Sequence, residues 1–376
     1  MPWQAPLLIP VVCSAAYWLL TVWALRRFFA RPLPARGPGA QRPRVSLVKP
    51  VCGLEKALEE NLATALAQTY PDYEVVYSVQ RPDDPALAVL ERLKARAPGK
   101  VKVVVDERCA GPNGRLSNIL NATERADGEV LVYSDSDMSL DPGYLEAVTA
   151  PLDDPSVGVA CTVYRAWGAK DLAETLELLS LNGDFVPALV FATETGLSPA
   201  CPGASQAIRR ETLEKIGGLA PMAHSLVEDY DLGIAVQKAG LRIAILPHVA
   251  RTGVDLVGWK AWWRHQVYWD QNTRAANPAG HFFTWLIRGV PFAVLYALAG
   301  GPAWAPILAG CLAGRLATYA AAARLLGDAE GLRSAWLLPL RDLAGLAVWA
   351  ASFAQRAVHW KGRTFILEGN RMVEVS

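Results

Sequence analysis

Residues 6–25, PLLIPVVCSAAYWLLTVWAL, carry no charge. Wound as a helix rising about 1.5 Å per residue, a run of this length covers the roughly 30 Å hydrocarbon core of a bilayer. The basic cluster RRFFARPLPARGPGAQRPR, residues 26–44, follows directly. A cleaved leader carries its charge before the apolar run, so this order predicts a retained anchor over residues 1–30 and a Pro- and Gly-rich linker over 31–43. The positive-inside rule assigns the segment after the cluster to the cytoplasm. A 52% hydrophobic composition with positive mean hydropathy agrees with membrane segments.

Residues 44–256 read differently. Short β-forming runs (RVSLVKPV, YEVVYSVQ, KVKVVV, EVLVYSDSD) alternate with helical patterns (LEENLATALAQTY, PALAVLERLKARA, GRLSNILNATERA). This alternation predicts an α/β domain with a mostly parallel sheet. Neither a dinucleotide glycine fingerprint nor a phosphate loop occurs in it, which argues against an NAD enzyme and a P-loop NTPase. Thirty-seven basic against thirty-six acidic residues leave no net field to capture nucleic acid. The six cysteines, at 13, 52, 109, 161, 201 and 311, show no metal-ligand spacing and read as free, mostly buried thiols in a reducing compartment.

Beyond residue 256 the chain turns aromatic and then apolar. In VGWKAWWRHQVYW, Trp259, Trp262, Trp263, Gln266 and Trp269 recur every three or four residues with Lys260, Arg264 and His265 between them. The pattern suits an amphipathic helix at a bilayer interface over 257–280, or a tryptophan-rich core helix. Membrane or re-entrant helices are expected over 281–357, from apolar stretches at 282–300, 303–326 and 335–355 that Arg288, Arg315 and Arg341 interrupt. The tail, 358–376, opens on the basic HWKGRTF, which would stay cytoplasmic after an even number of crossings.

The stretch EVLVYSDSDMSLDPGYL, residues 129–145, carries the chemistry. A buried strand ends on Asp135 and Asp137, and ligands of open α/β sheets gather beyond the carboxyl ends of strands. Side chains two apart project the same way, so the pair offers hard oxygen ligands for Mg²⁺ or Mn²⁺ and a bound diphosphate. At the same edge we expect Asp83 or Asp84, from VQRPDDPA, to contact a nucleobase or ribose. Arg115, from PNGRLSN, would meet a phosphate, and Asp229, from EDYDLG, would act as a base toward a hydroxyl. Each also has an ordinary reading as a helix cap, a solvated arginine or a first-turn acid.

From VKPVCGLEKALEENLATALAQTYPDYEVVYSVQRPDDPA through SDSD, CPGASQAIRRETLEKIGGL, VEDYDLG and RHQVYWDQNTR, the chain resembles the ceramide glucosyltransferases, and it is similar to bacterial hopanoid-linked glycosyltransferases. The resemblance implies a Rossmann-like GT-A catalytic domain, a UDP-sugar donor, a lipid acceptor such as ceramide, and a place in a bacterial inner membrane. It implies inverting transfer, with Asp229 as base and Asp135 and Asp137 on the metal. Pro50, Glu55, Asp83, Asp84, Arg115 and Asp135 would bind the donor. The family's (Q/R)xxRW motif falls on His265, Gln266, Val267, Tyr268 and Trp269, toward the diphosphate and acceptor. Here His265 opens the motif and Tyr268 replaces its arginine, so Arg264 or Arg274 is expected to supply the missing cation. Hopanoid or diacylglycerol acceptors, with N-acetylglucosamine or a uronic acid as the sugar, are alternatives. A polysaccharide synthase would need a longer channel-forming region, and an inactive homologue would not need all three aspartates.

Overall fold

The computed structural model describes residues 3–37, 39–199, 201–355, 357–360 and 363–374. The chain forms two compact units, one of residues 32–164, 197–253 and 370–376, the other of 1–31, 165–196 and 254–369. In chain order it opens with α1 (Leu8–Phe29) and enters the first unit through β1 (Val45–Pro50), α2 (Leu58–Thr64), β2 (Tyr73–Val79), α3 (Leu87–Arg96), β3 (Val101–Val105), α4 (Gly114–Thr123), β4 (Val130–Ser134), β5 (Met138–Ser139), α5 (Tyr144–Thr149) and β6 (Val157–Trp167). It leaves for α6 (Leu172–Ser180) and α7 (Val186–Thr195). It then returns for β7 (Ser205–Arg209), α8 (Arg210–Lys215), α9 (Glu228–Lys238) and β8 (Arg242–Gly253). Helices α10 (Gly258–Ala276), α11 (Pro278–Phe283), α12 (Gly289–Leu298), α13 (Trp304–Leu326), α14 (Ala329–Ser334) and α15 (Leu338–Ala354) follow, then β9 (Ala357–Trp360), β10 (Arg363–Glu368) and β11 (Arg371–Glu374).

The first unit is built on a sheet ordered β3-β2-β1-β4-β7-β6-β8-β5. Strands β1 to β4 are parallel, as their Val-rich sequences require: β1, β2 and β4 are buried at every residue, the pattern of strands covered on both faces. The sheet becomes mixed at β7, which runs antiparallel to both β4 and β6. The Ser134–Ser205 register puts the loop before β7 at the edge where β4 ends. That edge therefore gathers the loops after β1, β2 and β4 with the one before β7.

The second unit is helical. Helix α1 packs against α7, α12 and α13, with Trp18, Val290, Ala293 and Cys311 as a small apolar core. Among the described residues, four helices, over 5–29, 172–195, 304–326 and 329–354, are long and apolar enough to cross a membrane, and the bent pair 278–287 and 289–298 would add a fifth. The stretch expected over 282–300 is broken, with a 49° bend at Arg288. Pro291 has no N–H to donate back to Ile287, so the two helical pieces cannot join. Span 172–195, which is not among the apolar stretches expected, carries Glu174, Glu177 and Asp184; its α6 and α7 are joined by a π-helical turn, Leu181–Phe185. The aromatic stripe of α10 divides: Trp262, Gln266 and Val267 are buried, whereas Trp259 is half exposed and Lys260 and Arg264 face out. Within the basic segment HWKGRTF, Lys361 and Gly362 lie outside the described residues. Of the cysteines, 161, 201 and 311 are buried, but Cys52 and Cys109 are exposed.

Candidate active site

The sheet edge places five acidic side chains, Glu55, Asp135, Asp137, Glu228 and Asp229, around Arg115 and Lys49. The turn after β4 folds Met138 N–H back onto the Asp135 carbonyl (3.2 Å), and β5 then pairs with β8. Its side chains are individually held. Asp135 Oδ1 accepts from Arg115 Nε at 2.7 Å, Ser136 Oγ donates to Glu55 Oε2 at 2.7 Å, and Asp137 Oδ2 accepts from Thr252 Oγ1 at 2.8 Å. Burial, and then the neighbouring charge of Asp135, push the Asp137 carboxyl above the ordinary carboxylate range.

Beneath this turn lies Lys49, on β1 and fully buried. Its Nζ donates to the carbonyls of Asp135 (2.7 Å) and Met138 (3.1 Å) and to Ser134 Oγ (3.3 Å). Burial pulls the ammonium down to about 8, a shift opposed by Asp137, Asp135 and Glu55. A buried charge is tolerated only when paired and hydrogen-bonded, and here backbone carbonyls and nearby carboxylates supply both.

Arg115 joins the two ends of the site. It stands in the first turn of α4, whose N-cap Asn113 accepts from Leu116 N–H. Besides Asp135, its guanidinium donates to Glu228 Oε1 and the Gly203 carbonyl, each at 2.7 Å. Asn113 Nδ2 donates to the other Glu228 oxygen at 2.9 Å. Asp229, in the first turn of α9, accepts from Gly203 N–H at 2.9 Å and from Tyr230 N–H at 2.8 Å. Burial, and next the adjacent Glu228, raise the Asp229 carboxyl. Gly203 is in close quarters: a Cβ there would lie 3.2 Å from Asp229 Oδ2.

Asp83 and Asp84 part company. Asp84 accepts from Gly53 N–H at 3.1 and 3.0 Å and from Ala86 N–H at 2.9 Å, tying the loop after β2 to the loop after β1. Asp83 turns outward and pairs with exposed Arg81 at 2.5 Å. Pro50 ends β1 beside Ser78.

The motif residues of α10 belong to the helical unit. Glu177 accepts from His265 Nδ1 (2.9 Å) and from Gln266 Nε2 (2.7 Å), while Trp269 Nε1 donates to His265 Nε2 at 3.1 Å. An imidazole that donates at Nδ1 and accepts at Nε2 is neutral, so His265 adds no cation in this arrangement. The Tyr268 ring stacks on His265. Arg274 lies over Phe353 and donates to the Gln355 carbonyl at 3.4 Å, whereas Arg264 is exposed.

Sequence reasoning passed over Lys49, whose signal was a charge inside a strand otherwise buried on both faces. Glu228, beside Asp229 in EDYDLG, carries no local mark beyond its place in the first turn of α9. The partners of both come from segments about 85 and 113 residues away, at separations that no local pattern encodes.

Comparisons with known proteins bear on the family and the fold. The chain is 23% identical over 216 residues to ceramide glucosyltransferase 1 of Caenorhabditis elegans, covering 57% of this chain and 46% of that protein. It is 29% identical over 154 residues to a ceramide glucosyltransferase of Gibberella zeae, covering 38% of this chain and 29% of that protein. The chain thus matches less than half the length of these relatives. In fold it is similar to the mannosyltransferase PcManGT of Pyrobaculum calidifontis, solved with GDP-Man and Mn²⁺, with a TM-score of 0.55 at 21% identity over 92% of this chain and 98% of that one. The expected GT-A architecture is therefore present. The description of glycosyl transferase family 21 matches residues 7–373, so the chain belongs to that family.

Proposed function

We propose that this chain is a membrane-bound glycosyltransferase that moves a hexose, glucose in the first instance, from a UDP-sugar to the hydroxyl of ceramide, with inversion at the anomeric carbon. One observation carries the reading: Arg115 bridges Asp135 to the helix turn that bears Asp229, so a diphosphate-side acid and a raised-pKa acid are braced by a single side chain. Asp229 takes the proton from the acceptor hydroxyl as the oxygen attacks the sugar, and its raised affinity for protons suits that task near neutrality. Asp84 and Glu55 hold the loop after β1 and the Asp135–Asp137 turn in fixed relation, which orients the donor. Arg115 donates to Asp135, Glu228 and the Gly203 carbonyl, which makes it a brace of the site. Ceramide and glucose are supported by the names of the relatives in worm and fungus. The basic cluster after α1 supports a cytoplasmic catalytic unit.

Mg²⁺ or Mn²⁺ fits the residues present. Among the described residues no group of three or more His, Cys, Asp or Glu side chains surrounds one point. Asp135 and Asp137 nevertheless oppose one another electrostatically, and a cation between protein and diphosphate would relieve that opposition. Such ions bind through one or two carboxylates, with substrate phosphates and water completing the shell. When bound, the ion neutralises charge on the departing diphosphate.

Titration calorimetry of the full chain with UDP, with and without Mn²⁺, tests the donor half of this reading. The expected result is metal-dependent binding that Asp137→Ala abolishes, because the one carboxylate left, Asp135, is already engaged by Arg115 at 2.7 Å. Equal affinity in the variant would remove the metal role from Asp137.

A further inference from the structure

Inside the helical unit lies a cavity of about 240 Å³, lined by α1, the α6–α7 turn, α10, α11, α13 and α15. Its walls include three arginines and three aspartates, and all but Asp270, which α10 carries, stand in segments apolar enough for a membrane or at the bend between two of them. Such residues rarely stand in membrane segments without a function. They are not simply strays neutralised in passing.

Four of them form one network. Arg315 donates to both oxygens of Asp342, at 2.9 and 3.1 Å, and to Asp184 at 2.8 Å. Arg341 pairs with the second Asp184 oxygen and donates to Ser180 Oγ at 3.0 Å. Asp184 reaches this network from the π-helical turn, a distortion often kept at functional sites. The remaining pair is looser: Arg288 Nη2 meets Asp270 Oδ2 only at 3.4 Å, and Arg288 Nε is buried without a hydrogen-bond partner. Room for that guanidinium exists because residue 345 is glycine, where a Cβ would lie 2.8 Å from Arg288 Nη1. The aromatic rings of Tyr17, Trp18 and Trp269 complete the lining with flat apolar surface.

We infer that this cavity binds the polar head of an uncharged lipid, with Arg288 and Asp270 as its donor and acceptor. The inference rests on the reading that the chain acts on a lipid, and it specifies the class of head group. Charge decides the class. The arginines and aspartates balance three to three, and Glu177, the one further acid in the lining, is held by His265 and Gln266. A phosphate would enter with no uncompensated cation to meet it, at the desolvation cost of a buried unpaired charge. A hydroxyl or amide needs only a donor and an acceptor, which the loosely paired Arg288 and Asp270 offer. Size agrees: a cavity of about 240 Å³ has room for a polar head group.

The test is native mass spectrometry of the full chain with a short-chain ceramide, a short-chain diacylglycerol and a short-chain phosphatidic acid, for wild type, Arg288→Met and Ala188→Phe. Ala188 lines the cavity with its side chain accessible, so phenylalanine would occupy the space. The wild type is expected to bind one of the uncharged lipids in preference to phosphatidic acid. Either variant that keeps the wild-type unfolding temperature is expected to lose about tenfold in that affinity, the worth of one or two polar contacts. Undiminished uncharged-lipid binding in such variants would overturn the inference, as would preferential binding of phosphatidic acid. The variants differ in kind, since one deletes a charge and the other fills space, so misfolding of one leaves the other informative. Lipid binding that the variants weaken, without transfer from any UDP-sugar, would sink the transferase reading and keep the site; transfer with variant-insensitive binding would do the reverse.

Discussion

Asp229→Asn is expected to lower turnover about 10²- to 10⁴-fold while leaving UDP affinity nearly unchanged, because amide and carboxylate share a shape and differ in their capacity to take a proton. Gly203 N–H and Tyr230 N–H donate to different Asp229 oxygens, and asparagine offers only one, so one of these bonds is lost in the variant and its unfolding temperature is the control for the loop before β7. The pH profile gives the prediction its sign. Burial and Glu228 raise the Asp229 carboxyl, so the base is protonated and idle on the acid side of that raised value. The acid limb of kcat/KM should therefore fall well above the range of an ordinary carboxylate, and the residual activity of the asparagine enzyme should lack that limb. A collapse of UDP affinity in the variant would place Asp229 in the donor site and the base elsewhere.

Lys49→Met should have the largest effect on stability. The substitution keeps the length and apolar stem of the side chain but strips the donor from two carbonyls and a hydroxyl beneath the Asp135–Met138 turn. A buried acceptor left unmatched costs about 1–3 kcal/mol, and the Met138 carbonyl loses its lysine donor, while the Asp135 carbonyl keeps only the bond from Met138 N–H. The carboxylates of Asp135, Asp137 and Glu55 also lose the cation that faces them. The unfolding temperature should fall, and metal-dependent UDP binding should weaken even in protein that remains folded. Unchanged values for both would show that the turn holds itself through Arg115, Thr252 and Glu55 without the lysine.

Strand ends and helix starts were legible because they follow local rules. The run Val130–Ser134 stops where Asp135 begins, and the parallel order of β1 to β4 follows from alternation with helices. What escaped depends on partners far along the chain. The antiparallel entry of β7 has no local signature, yet it brings Gly203 to Asp229. Asp83 and Asp84 are chemically identical neighbours, and only the approach of Gly53 N–H selects the second. The altered motif on α10 suggested a search for a substitute cation, but His265 is neutral through Glu177 and Trp269, and Arg274 is turned to Phe353 and Gln355. The interrupting arginines at 288, 315 and 341 looked like obstacles to membrane crossing. Each instead has an aspartate within an ion pair's reach: Asp270 on α10, Asp342 on α15 and Asp184 in the turn between α6 and α7.

The most direct test joins acceptor, donor and stereochemistry in one product. The full chain, reconstituted with Mn²⁺, ceramide and UDP-glucose labelled in the sugar, is incubated beside its Asp229→Asn variant, and the anomeric configuration of the glycolipid is determined by NMR. A β-linked glucosylceramide from the α-linked donor, formed by the wild type and nearly absent with the variant, is the expected result. An α-linked product, or equal formation by the variant, would contradict single-displacement transfer with Asp229 as the base.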